Sequence, residues 1–270
     1  MKIGNKEFDF DAHTYVMGIL NVTPDSFSDG GRYTTLDSAL IQVERMLSEG
    51  MDILDIGGMS TRPGHEFVTE DEEIRRVVPV ISEVKKRYDV PISVDTYRSK
   101  VARAAVCVGA DLINDIWGLR DDPAMARTVA ESGVCYCLMH NNTQLITENV
   151  VDGVIADLTE SLRIADEAGI DRGKIILDPG IGFAKNTEGN LVLLKNLDAF
   201  HRFGLPLLLG CSRKSVIGNT LNLPADDRLE GTLVTTTLAV MARYGIVRVH
   251  DVKENKRTVA MAEAIRDVKG

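Results

Sequence analysis

Eight short β-rich runs, each closing on polar or glycine residues and each followed by a segment of helical spacing, predict an α/β chain folded as one (β/α)8 TIM barrel. The length of 270 residues matches the roughly 250 that such a barrel takes, and 44% hydrophobic residues suffices for its core. An open, doubly wound parallel sheet is the second possibility, because strand order is not written in the alternation.

Along the chain, residues 1–11 (MKIGNKEFDFD) are expected to form a short N-terminal β-hairpin that closes the bottom of the barrel. The runs are then Tyr15 to Asn21, Asp52 to Gly57, Pro91 to Asp95, Asp111 to Ile116, Val134 to His140, Lys174 to Pro179, Pro206 to Ser212 and Ile246 to His250. Between them Ala39, Val43, Met46 and Leu47, and again Ile74, Val77, Val78 and Ile81, recur at helical spacing, so each helix turns an apolar stripe to the sheet. The second of these helices opens on Thr69 with Glu72 three residues later, the pattern of a capping box, and acidic residues at 70–73 suit a helix N-terminus. Pro79 predicts a kink within it. No linker or low-complexity stretch interrupts the pattern, so a single domain over residues 1–270 is expected. Two connections, 23–35 (TPDSFSDGGRYTT) and 57–69 (GGMSTRPGHEFVT), are long and rich in Gly and Pro, and read as lids over a site.

Composition narrows the function. A net charge of −9 offers no overall positive field for nucleic acid or an anionic membrane, so an anionic ligand needs a local cationic pocket. No apolar run approaches the roughly 20 residues of a membrane span, and residues 1–11 lack the apolar core of a signal peptide, which predicts a cytoplasmic protein. The four cysteines read as thiols. Cys135 and Cys137 fall on one strand face, where a metal pair is conceivable, but their apolar neighbours favour core packing.

In parallel barrels the chemistry lies at the C-terminal ends of the strands. Those ends carry Asn21, Thr61 and Arg62 just past the second run, Asp95, Asn114, His140 with Asn141, Asp178, Ser212 with Arg213 and Lys214, and Arg248 with His250. Taken singly, Asp178 needs to do no more than open a turn and Asp95 no more than cap a helix. As a ring they indicate a site. Arg62, Arg248 and His250 suit a phosphate, and Asn21 offers a neutral oxygen to a hard metal ion. Asp95, Asn114 and Asp178 suit a flat ligand whose edge bears adjacent N–H donors.

These residues lie in segments that resemble the dihydropteroate synthases over almost the whole chain: MGILNVTPDSFSDGG at 17–31, DILDIGGMSTRPG at 52–64, SVDT at 93–96, NDIWG at 114–118, LMHN at 138–141, LDPGIGFAK at 177–185, SRKS at 212–215 and RVHDV at 248–252. The resemblance implies condensation of 7,8-dihydropterin-6-methyl pyrophosphate with p-aminobenzoate, assisted by Mg²⁺. It implies pterin contacts at Asp95, Asn114, Ile116, Met139, Asp178, Gly210 and Lys214, pyrophosphate contacts at Asn21, Arg62, Arg248 and His250, and a p-aminobenzoate wall of Thr61, Pro63, Phe183 and Ser215. It further implies metal ligation by Asn21 and Asp29, with Lys214, Arg248, Arg62 and Asp29 taking part in catalysis. Sulfonamides are expected as competitive inhibitors, since GIGFAKN at 180–186 carries no insertion of the resistant type. A homodimer through the last two helices is also implied, in keeping with the apolar and Thr residues spread over several faces of 231–244.

Three rivals remain. A pterin-binding methyltransferase domain serving a corrinoid partner shares the Asp and Asn positions, but TRPG at 61–64 and SRKS at 212–215 argue against it. A Schiff-base aldolase using Lys214 would be exposed by borohydride trapping. A silent pterin-binding relative would release no pyrophosphate.

Overall fold

The structure, a computed structural model, describes residues 1–22, 35–59 and 68–269. A two-stranded antiparallel hairpin, β1 (Lys2–Ile3) and β2 (Lys6–Glu7), precedes eight parallel strands: β3 (Tyr15–Asn21), β4 (Ile53–Gly57), β5 (Ile92–Asp95), β6 (Leu112–Asp115), β7 (Cys135–Met139), β8 (Ile175–Asp178), β9 (Leu208–Leu209) and β10 (Ile246–Val249). Their order is β8-β7-β6-β5-β4-β3-β10-β9, so the first strand of the barrel lies beside the last. The two outer strands are joined by a parallel bridge between Leu177 and Leu207, where the Leu177 N–H donates to the Pro206 carbonyl at 2.9 Å. That closure removes the open-sheet alternative, and the chain is a TIM barrel. Each expected run is a strand with slightly trimmed ends, except the seventh, where pairing shrinks to Leu208–Leu209.

Helices cover the outside: α1 (Thr35–Ser48), α2 (Glu70–Arg87), α3 (Ser99–Cys107), α4 (Met125–Ser132), α5 (Val150–Glu167), α6 (Thr187–Lys195), α7 (Ser215–Leu221), α8 (Leu229–Met241) and α9 (Val252–Asp267). Thr69 caps α2 as expected, accepting from the Glu72 N–H at 3.3 Å. The reciprocal half of the box is diverted, because Glu72 accepts instead from Arg76 Nε at 2.9 Å. The helix continues through Pro79 to Arg87 as one element.

Strand alternation sorts side chains into two cores. Val16, Leu20, Leu54, Ile56, Ile113, Tyr136, Leu138, Ile175, Leu177, Leu209 and Val247 point outward and pack with the helices. Met17, Ile53, Leu112, Cys135, Cys137, Ile176, Leu208 and Ile246 point inward and fill the N-terminal half of the barrel, where Ile3 and Phe8 of the hairpin segment join them. The Cys135 thiol donates to the Lys2 carbonyl at 3.2 Å, and burial raises that thiol to about 11, so this cysteine is packing and not a ligand.

Moving up each strand by two residues changes the chemistry of the interior. The inward positions become Asp55, Asp95, Asn114, Asp178, Gly210 and Arg248. An apolar plug below thus supports a polar floor above, and the hairpin seals the plug from beneath. Ile3→Ala is therefore expected to cost about 2–5 kcal/mol of stability, the range for truncating a buried Ile. Urea unfolding checks this; a loss under about 1 kcal/mol would mean that the hairpin only lies against the barrel.

Candidate active site

Arg248, from β10, reaches across the barrel to two carboxylates. Its Nε lies 2.6 Å from Asp55 Oδ2 and its Nη2 lies 2.5 Å from Asp95 Oδ2. Asn114 Nδ2 lies 3.4 Å from the same Asp55 oxygen. The other oxygens, Asp55 Oδ1 and Asp95 Oδ1, are buried and have no hydrogen-bond partner among the described residues. Burial pushes the Asp95 carboxyl up to about 7, with the Asp55 carboxylate adding to the rise and the Arg248 guanidinium opposing it. Two unpaired buried acceptors are costly unless a ligand supplies donors.

Asp178, at the end of β8, divides its two oxygens between roles. Oδ1 accepts from the Gly180 N–H at 2.7 Å, which opens the next turn, while Oδ2 faces the space above Gly210. Both readings of Asp178 therefore hold. Burial raises its carboxyl and the Lys214 ammonium draws it back. Asp95, by contrast, caps no helix: the first N–H of α3, at Ser99, donates to Asp122 Oδ2 at 2.7 Å.

Lys214 sits at the N-cap of α7, directly after Arg213 with φ of 58°. Its Nζ donates to the Ile181 carbonyl at 2.5 Å and stands 4.6 Å from the centre of the Phe183 ring. Desolvation lowers the ammonium and Asp178 opposes that. Two inward glycines keep the space open. A Cβ on Gly210 would lie 3.5 Å from Asp178 Oδ2 and 3.7 Å from Lys214 Nζ; one on Gly57 would lie 3.7 Å from both Asn21 Oδ1 and Asp95 Oδ2. Larger side chains would fill the room between these groups.

The expected residues thus separate. Asp95, Asn114, Asp178, Gly210, Lys214 and Arg248 converge on one mouth, with Met139 and Ile116 buried beside it. Arg248, expected to meet an anion, is engaged by two carboxylates. His250 follows the end of β10, with Nδ1 3.0 Å from the Ser212 hydroxyl. Asn21 is half-buried at the end of β3, and Ser215 is exposed at the start of α7. Asp29, Thr61, Arg62 and Pro63, with both lid segments in large part, lie outside the described residues.

Asp55 was not singled out from the sequence. In DILDIGG it sits two residues past the inward Ile53 and two before the inward Gly57, so period-two counting would have found it. Lys185 and the partners of His140 carry no such signal.

Arg248→Met would leave Asp55 and Asp95 facing each other in the interior. We expect a loss of about 3–5 kcal/mol, the range for breaking a buried pair. Adding Asp55→Asn should restore part of it in the same denaturant titration; equal stability of Arg248→Met and wild type would contradict the bridging role.

Residues 17–250 match the model of the pterin binding enzyme family. A dihydropteroate synthase of Clostridium beijerinckii is 51% identical over 266 residues, 98% of this chain and 99% of its own. A crystal structure of dihydropteroate synthase from Clostridium difficile in the presence of pteroic acid superposes with a TM-score of 0.93 at 46% identity, covering 96% of this chain and 99% of that one. The enzyme of Xanthomonas albilineans with 4-aminobenzoic acid gives 0.92 at 41% identity, covering 95% and 94%. The chain belongs to the pterin binding enzyme family, and within it to the dihydropteroate synthases.

Proposed function

We propose that the chain joins p-aminobenzoate to 7,8-dihydropterin-6-methyl pyrophosphate, releasing pyrophosphate and 7,8-dihydropteroate, as a cytoplasmic step of folate synthesis. The observation that carries this reading is the pair of oxygens, Asp55 Oδ1 and Asp95 Oδ1, that have no hydrogen-bond partner among the described residues, on a floor shared with Asn114 and Asp178 where Gly57 and Gly210 leave room beside Asp95 and Asp178. A flat ring with adjacent N–H donors meets that need, and a pterin is such a ring. The relative with 4-aminobenzoic acid supports the second substrate.

An arylamine is a weak nucleophile, because its lone pair is delocalised into the ring. Departure of pyrophosphate therefore comes first, leaving positive charge that spreads from the methylene into the pterin. Asp55, Asp95 and Asp178 stabilise that charge from the floor, and Lys214 positions the ring from the rim. Arg248 and His250, joined by Arg62 of the second lid, receive the pyrophosphate; Arg248 then exchanges part of its hold on Asp55 and Asp95 for the phosphate. The arylamine nitrogen attacks the methylene carbon to form the C–N bond and gives up its proton to solvent. No side-chain nucleophile is required.

Asn21 Oδ1, a neutral oxygen at the rim beside the Gly57 position, is a donor that suits a hard cation such as magnesium. Asn21 and Asp29 would hold it, and when bound it would offset charge on the departing pyrophosphate. Sulfonamides compete for the p-aminobenzoate wall formed by Thr61, Pro63, Phe183 and Ser215. A second copy of the chain covers α8 and α9, where Val234, Leu238 and Met241 stand exposed at the i, i+4, i+7 spacing of one face of α8 and Met261 and Ile265 stand exposed one turn apart on α9, with Val268 exposed just past its end. On α8 the threonines Thr232, Thr235 and Thr236 face inward instead.

The direct test is pyrophosphate release with and without p-aminobenzoate. Release that depends on p-aminobenzoate is expected, with Lys214→Ala slower by about a hundredfold or more at little cost in thermal stability. Turnover near wild type would remove Lys214 from the site. For the assembly, Leu238→Glu with Ile265→Glu should convert a dimer to a monomer in sedimentation velocity; a monomeric wild type, or an unaffected dimer, would refute this interface.

A further inference from the structure

The geometry points to Lys185 as a positioning residue for p-aminobenzoate: with His140 beneath it, its ammonium fixes the turn that presents Phe183. This rests on the proposed p-aminobenzoate role of Phe183. Lys185 is buried, yet its Nζ lies 2.9 Å from the Gly180 carbonyl, 2.7 Å from the Phe183 carbonyl and 2.9 Å from His140 Nδ1. Three acceptors match the three N–H donors of an ammonium.

His140 is set up to be the third. Its Nε2 lies 3.0 Å from Asp157 Oδ2, on α5, which draws the ring proton to Nε2 and leaves Nδ1 to accept. Asp157 is itself held by Arg120 at 2.9 Å and Asn142 at 2.8 Å. Burial, together with the charge of Lys185, lowers the imidazole to about 4, in keeping with a neutral ring. A chain of contacts thus runs from the half-exposed Arg120 to the underside of the turn.

The turn needs such a hold. Gly180, Gly182 and Ala184 all have positive φ, at 70°, 86° and 50°, and in Ala184 the conformation works against a Cβ. Lys185 takes the carbonyls at both ends of residues 180–183, while Lys214 takes that of Ile181 between them and stands over the Phe183 ring. Asn190, on α6, accepts from the Gly182 N–H at 2.6 Å. Lys185 makes none of its three hydrogen bonds to a residue assigned to the pterin, and only its charge reaches Asp178, so its main effect should fall on the second substrate.

Steady-state kinetics of four variants tests this. Lys185→Met is expected to raise KM for p-aminobenzoate about tenfold or more while KM for the pterin pyrophosphate stays within about twofold. His140→Leu should reproduce that split, and His140→Asn, whose Oδ1 can replace Nδ1 as acceptor, should restore a near wild-type KM. Lys185→Met with His140→Leu should add little to either alone. Equal changes in both KM values, or a lowered melting temperature with both unchanged, would overturn the proposal. If Lys185→Met does not fold, the His140 pair decides, and indistinguishable KM values for Leu and Asn would count against it. Failure of the wild type to release pyrophosphate with p-aminobenzoate would instead sink the functional reading, a separate result.

Discussion

The upper interior depends on Arg248. Asp55 and Asp95 come from neighbouring strands into a space shielded from water, where two carboxylates repel and each loses hydration. One guanidinium, from a third strand, bonds to both and makes the arrangement tenable. It satisfies one oxygen of each, and the other has no hydrogen-bond partner among the described residues. Carboxylates fixed in place with one acceptor oxygen each still to be paired are prepared for a ligand that brings donors.

The rest of the fold serves that arrangement. Parallel pairing puts β10 beside β3 and so one strand away from β4, which brings Arg248, 193 residues from Asp55 in sequence, within bonding distance of it inside the barrel. The apolar plug and its hairpin exclude water from below. Gly57 and Gly210 supply space where other inward residues supply side chains. The turn after β8 then adds a wall, with Asp178 initiating it and Phe183 at its far end under Lys214.

Much of this was legible in the sequence, and the reasons are local. Strands, helices and the Thr69 cap follow from periodicity within a few residues, and Asp95, Asn114 and Asp178 are conspicuous because each ends an apolar run. Asp55 was hidden by its position inside such a run. The double engagement of Arg248 and the contact between Lys185 and His140, 45 residues apart, have no sequence spacing that encodes them, because closure of the barrel creates them. The reciprocal half of the Thr69 cap was misread for a related reason: Glu72 has a better donor in Arg76, one turn on, than the N-cap amide. The seventh strand was read too long, since the residues after Leu209 leave the ladder to form the Gly210 opening and the turn that carries Lys214.

The central claim is that the carboxylates of this floor bind the pterin ring as charged acceptors. Asp178→Asn isolates it, because the amide oxygen can keep the 2.7 Å bond to the Gly180 N–H while the group facing Gly210 becomes a donor. Titration calorimetry with a dihydropterin lacking the pyrophosphate measures the effect without the phosphate contacts. The account predicts a loss of about 1.5–3 kcal/mol in binding, the range for a hydrogen bond to a charged group. Unchanged affinity would mean that Asp178 is only the start of a turn and that the floor is not where the pterin binds.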